Sequence, residues 1–212
     1  MTKLINEEEA EQENTSAPDP KDIISMLGIS DDKPDLRIIG IYGDINEERC
    51  AEAIFGLLTL NTPDTSTKDP EEASPEPIDF YISTYGGQAS EMFAVYDMMR
   101  KVRNTTDIRT HGVGKVMSAG VLLLAAGSKG LRHIGKNCRI MIHGVVAGQH
   151  GHIPDIENEF SEIKMLQKMY IDALKKETKM TEKDLRKMMN KKTNVYIDAE
   201  KAVELGIADI IF

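Results

Sequence analysis

From Arg37 onward, short apolar runs alternate with longer segments of helical period, and this alternation limits the fold more than any other feature of the chain. Residues 37–43 form a buried-strand run closed by glycine. Residues 44–60 follow with Ala51, Ile54, Leu57 and Leu58 on one helical face. Residues 78–82 read as a second strand that runs on to Gly86-Gly87. A helix is predicted over 90–102, with Met92, Phe93, Tyr96 and Met99 turned inward. Residues 107–110 read as a short strand, 118–126 as a buried helix stopped at Gly127, and 138–142 as another strand. A long helix spans 154–178. Thr181 caps a further helix ahead of Asp184, Asp198 caps another that ends at Gly206, and 208–212 is a final strand. Strands alternating with helices predict an α/β fold with mostly parallel crossovers. The long helix is too extended for a simple crossover and reads as an arm projecting from the sheet domain.

The chain has 212 residues, 41% of them hydrophobic, enough for one sizeable core and one domain. Its net charge of -9 gives no general attraction for phosphate backbones, so nucleic acid is not an expected partner. No apolar run reaches membrane-spanning length, so no membrane association through a transmembrane helix is expected. The opening residues go straight into acid without a basic start and an apolar stretch, so no secretory signal is expected. Cys50 and Cys138 are distant and outside any CxxC pair. They read as reduced, packed thiols of a cytoplasmic-type compartment. Residues 1–35 are read as an acidic N-terminal segment, a flexible tail over its first 20 residues with a short amphipathic helix at 22–27. Residues 61–77, punctuated by Pro63, Pro70, Pro75 and Pro77, are a solvated insertion within the domain.

Three places carry chemistry. Ser118 sits at the mouth of an apolar helix, followed by the small residues Ala119 and Gly120. A helix N-terminus offers free N–H groups and partial positive charge, which suits a serine attacking a carbonyl. A helix cap is the simpler role for such a serine, and the G-x-S-x-G elbow is not matched, since Val116 holds its first glycine position. Gly86-Gly87 makes a tight turn, and the Gly87 N–H can face a substrate beside that of Ala119. Two such donors form an oxyanion hole, each typically worth roughly 3 kcal/mol of activation free energy. His143 stands at the end of a strand, a rigid mount for a general base, just before a glycine-rich stretch. His143, His150, His152 and Asp155 match no metal-ligand spacing, so no metal is expected.

The ordered set 82–87, 96–99, 114–120, 126–127, 141–143 and 199–209 resembles the Clp protease proteolytic subunit over residues 36–212. The resemblance implies a crotonase-like α/β domain, a βαβ spiral with a projecting handle over about 144–178. It implies Ser118 as nucleophile, His143 as base, and Gly87 and Ala119 as oxyanion donors. The stretch Gly144, Val145, Val146 and Ala147 would belong to the strand that pairs with substrate. Further implications are a chamber of two stacked seven-membered rings, possible mixing with related subunits, polypeptide substrates, and an ATP-driven AAA+ unfoldase as partner. Hydrolysis would need no cofactor.

The chain departs from the family pattern in four ways. The third triad position, two residues before the aromatic Tyr196, is Asn194 rather than aspartate. An amide fixes the imidazole tautomer but does not stabilise imidazolium by charge, so a Ser118–His143–Asn194 triad predicts a slower enzyme. Asp198 reads as a cap, and Asp172 and Asp184 do not match the motif. Thr84 and Tyr85 replace the family's serine and proline before the glycine pair. The insertion 61–77 is unusual for the family, and the first 35 residues do not resemble its axial-pore segment, suiting a propeptide, a gate or a tail. Alternatives are a non-catalytic ring subunit, a virus-type maturation protease of the same family, and, last, a crotonase-type acyl-thioester enzyme.

Overall fold

A computed structural model describes residues 36–61, 75–148, 150–190 and 193–212. The predicted tail, the helix at 22–27 and most of the insertion lie outside the described residues. Arg37–Phe212 forms one compact unit, and it begins with strand β1 (Ile38–Ile45). Helix α1 (Glu47–Leu60) follows, capped by the Asn46 side chain, which accepts from Arg49 N at 3.0 Å. Its buried face is Cys50, Ala53 and Leu57; Ala51 and Leu58 point outward. The expected face was therefore turned by about one residue, because Cys50 and Ala53 do the packing that period counting had given to Ala51 and Leu58.

Strand β2 (Ile78–Gly87) and helix α2 (Ala89–Val102) match expectation, with Met92, Val95, Tyr96, Met99 and Val102 buried and Phe93 at the core's edge. Arg37 closes the base of the insertion by donating to Leu60 O at 2.6 Å and Glu76 O at 2.8 Å. Strand β3 (Ile108–Met117) is more than twice the length expected. His111, Gly112, Gly114 and Lys115 interrupt its apolar pattern, and neighbouring strands hold it instead: β2 along its length, β4 (Arg132–Ile134) at Thr110–Gly112 and β5 (Arg139–Ile142) at Lys115–Met117. The ladder forks there, with Gly114 at φ 65° between the two branches.

Helix α3 (Ala119–Ala125) is buried at every position, as its unbroken apolar sequence requires, and packs against β2, β3 and α2. Helix α4 (Ile153–Glu177) is exposed from Ile153 to Glu162 and docks through Tyr170, Ile171, Ala173, Leu174 and Glu177. This is the expected arm. Helix α5 (Glu182–Met189) opens with a capping box between Thr181 and Asp184, and α6 (Ala199–Glu204) is capped by Asp198. Strand β6 (Val195–Ile197), absent from the sequence reading, pairs antiparallel with β5, and β7 (Ile210–Ile211) ends the order β1-β2-β3-β4-β7. Every other pairing is parallel, so the chain is an α/β protein with a mostly parallel sheet.

A buried polar cluster ties the helix ends to the sheet. Arg132, 3% exposed, pairs with Asp209 through Nε at 2.7 Å and through Nη2. Its Nη1 donates to Glu177 O at 2.8 Å and Gly206 O at 2.7 Å. The Glu177 carboxylate, itself buried, accepts from Tyr96 Oη at 3.1 Å and from Arg103 Nη1 at 3.2 Å, with Lys129 Nζ at 3.3 Å. Burial alone would raise the Glu177 carboxyl, but Arg103, Lys129 and Tyr96 outweigh it and hold it below its usual value of 4.5.

Removing one partner leaves a buried charge alone, so Arg132→Met should lower stability by about 3–5 kcal/mol in urea denaturation. The depressed Glu177 carboxyl stabilises the fold fully above the ordinary carboxylate value, and this contribution is lost as pH falls through the lower folded value. Stepped-pH urea melts should therefore be flat near neutrality and decline in acid, and Glu177→Gln should shrink the decline.

Candidate active site

β3 turns directly into α3 at Ser118. Ser118 has φ 53° and ψ -121° and is the only non-glycine residue at positive φ among the described residues. Such a conformation costs about 1–3 kcal/mol and persists only where the surroundings enforce it. Ser118 N–H donates to Met141 O at 2.8 Å, and the Ser118 carbonyl accepts from Tyr170 Oη at 2.8 Å. The side chain makes no capping bond, so the simple cap role considered for Ser118 is not what its hydroxyl does. The turn is a strained strand-to-helix elbow without the first glycine of the familiar motif.

The glycine pair is required by space as well as by backbone. Gly86 lies at φ 110°, and a Cβ there would approach Ser118 Cβ to 2.6 Å. Gly87 lies at φ 157°, and a Cβ there would fall 2.1 Å from Ile45 O. Both glycines are the last residues of β2, opposite Asp44 and Ile45 of β1, so the pair ends a strand rather than making the expected tight turn. Thr84 is fully buried, and its hydroxyl oxygen accepts Gly86 N–H at 2.9 Å. Tyr85 is exposed, with Lys115 Nζ 4.5 Å from its ring centre.

These residues open onto a cleft of about 630 Å³. Gly87, Ser118, Ala119, His143, Gly144, Val145 and Val146 all line it. Ala119 is the first residue of α3, so its N–H has no acceptor within the helix. Among the described residues no hydrogen bond joins Ser118 to His143, although both line the cleft. Asn194 is exposed and outside the cleft lining. It precedes Val195, which pairs antiparallel with Ile142, so His143 and Asn194 occupy the next register step beyond the β5–β6 ladder. The acids weighed against it are engaged elsewhere. Asp198 accepts Lys201 N–H at 2.8 Å, Asp184 is in its capping box, and Asp172 lies 3.6 Å from Lys175.

Residues 143–148 form no strand. Val145 N–H donates to Gln167 Oε1 at 3.1 Å, and Gly144 approaches so closely that a Cβ would lie 2.8 Å from Met189 O. The expected substrate-pairing segment thus rests on α4 rather than in a ladder. Sequence reasoning missed Gln167 and Tyr170, as well as Met92 and Leu166 of the cleft lining. Tyr170 and Ser118 are 52 positions apart, and nothing local connects them. Cys50 and Cys138 are buried free thiols, which burial pushes up to about 11. Among the described residues no group of three or more His, Cys, Asp or Glu side chains is placed to hold a metal, and no helix is long and apolar enough to cross a membrane.

A family model described as Clp protease matches residues 28–212. The chain belongs to the Clp protease family. The match spans the whole described fold, from β1 through the projecting α4 to β7, and covers every residue of the cleft. Membership makes the chain a protein of a protease family and accounts for the mostly parallel sheet with helices.

The crowding at the glycine pair is directly testable. Gly87→Ala places its new methyl group against a backbone carbonyl and should destabilise the fold by about 2–3 kcal/mol in thermal or urea melts. Gly43→Ala, at φ 88° with open space around it, should cost less, about 1 kcal/mol, because only the backbone preference opposes it.

Proposed function

We propose that the chain is a serine endopeptidase subunit that hydrolyses unfolded polypeptide through an acyl-enzyme. The observation that carries the reading is Ser118, held at positive φ where a strand turns into a helix and opening onto the same cleft as His143. His143 takes the Ser118 hydroxyl proton as Oγ attacks the scissile carbonyl. The oxyanion that forms is met by the N–H groups of Gly87 and Ala119. His143 then returns the proton to the departing amine, leaving an ester on Ser118. Water, deprotonated by His143, hydrolyses that ester and frees the serine. An extended substrate lies along residues 144–147, with donors drawn from Gly144, Val146 and Ala147, since the Val145 N–H is already bonded to Gln167. No cofactor takes part in this sequence. Asn194 orients the imidazole from the adjacent register position without supplying a negative charge.

Family membership supports assembly into stacked seven-membered rings fed by an ATP-driven AAA+ unfoldase, with rings of this chain alone or mixed with related subunits, and the free, buried Cys50 and Cys138 suit a reducing, cytoplasm-like compartment. A second reading, a non-catalytic ring subunit, draws on the exposure of Asn194 and its place outside the cleft lining.

A fluorophosphonate probe should label the purified chain at Ser118, mapped by peptide mass spectrometry, and Ser118→Ala should abolish the label. An assembled particle that resists the probe would favour the non-catalytic subunit. Asn194→Asp should raise the labelling rate, by on the order of tenfold or more, because a carboxylate beside His143 stabilises imidazolium. An unchanged rate would remove Asn194 from the site.

A further inference from the structure

Among the described residues, the Tyr170 hydroxyl is the one side-chain group that hydrogen-bonds the Ser118 backbone. The Ser118 carbonyl accepts Val121 N–H at 3.0 Å from within that turn, and Tyr170 Oη at 2.8 Å from α4. The Ser118 carbonyl and the Ala119 N–H belong to one trans peptide unit, which is planar, so the direction of one fixes the direction of the other. A group that holds the carbonyl therefore aims the N–H on the opposite edge. Ala119 lines the cleft, and its N–H has no acceptor in the helix. The elbow is strained, and strained backbone relaxes unless its neighbours over-determine it. Tyr170 is 5% exposed and its ring is packed in the core cluster, so the hydroxyl has little freedom to leave its acceptor.

We propose that Tyr170 is a positioning residue that sets the direction of the Ala119 N–H, and with it the geometry of the oxyanion hole. This rests on reading Ser118 as the nucleophile. A misdirected donor weakens stabilisation of the developing charge and leaves ground-state binding of a ligand in the cleft unaltered. Tyr170→Phe keeps the ring and removes only the hydroxyl.

The test uses the full chain and saturation kinetics with the fluorophosphonate probe. In Tyr170→Phe the maximal labelling rate should fall about tenfold, with an unchanged half-saturating probe concentration and a melting temperature within a few degrees of the wild type. Replacing Tyr170 with 4-aminophenylalanine, which restores a donor on the same ring, should recover most of the lost rate. An unimpaired maximal rate in a wild type that labels well would overturn the role of Tyr170 alone. A failure of Tyr170→Phe to fold would overturn it too, since the hydroxyl would then hold the fold rather than aim a donor. A wild type that does not label would sink the nucleophile reading, and the positioning role with it.

Discussion

One guanidinium gathers the ends of three helices. Arg132 donates to the carbonyls of Ala125, Glu177 and Gly206, at or just beyond the C-termini of α3, α4 and α6, while Asp209 neutralises it from the approach to β7. Arg103 adds bonds to Ala126 O at 2.6 Å and Gly127 O at 3.0 Å, beside its pairing with Glu177. Helix C-termini carry unpaired carbonyls and partial negative charge, so buried cations are the partners they need. The cluster is costly to desolvate and costly to break, and its geometry leaves each helix one place to end.

The site inherits its shape from that anchor. With Glu177 fixed, the last turns of α4 lie against α3, and Tyr170, about two turns earlier, reaches the Ser118 carbonyl. Gln167, one turn before Tyr170, takes the N–H of Val145 just after His143. One stripe of one helix thus touches the backbone on both sides of the cleft. The exposed half of α4, from Ile153 to Glu162, contributes nothing to this contact, so the docking of α4 rests on its C-terminal half.

The sequence was readable where the determining interaction is local. The Thr181 and Asp198 caps and the buried α3 all follow from neighbours within four positions, and each lies where its residues predict. Reading failed where the partner is remote. Strands β4 and β6 have three residues each, and only their pairing with β3 and β5 makes them strands. The C-terminal half of β3 looks like a glycine-broken loop until its neighbours are in place. Glu177 looks like a surface acid ending a helix, yet it is 2% exposed because Arg103 and Tyr96, distant in sequence, meet it there. Ser118 and His143 were legible as types at suggestive places. Their common cleft was not, because it depends on the β3–β5 pairing that sets Met141 beside Ser118.

In the proposed serine-peptidase reading, Asn194 changes which part of the site matters most. A carboxylate behind the base lowers the barrier by stabilising the imidazolium as it forms. With an amide at that step of the register, more of the rate must come from donors that are already aimed when the substrate arrives. Preorganisation of that kind requires backbone that does not relax, and the constraints around Ser118 are of that type: the Met141 bond at its N–H, the packing of Gly86 against its Cβ, and the Tyr170 bond at its carbonyl. The Thr84 hydroxyl holds the opposing Gly86 N–H in the same way. In that reading a triad weak in charge and an elbow rigid in backbone would be consistent features of one site, with the oxyanion hole carrying the share of transition-state stabilisation that the third residue would not supply.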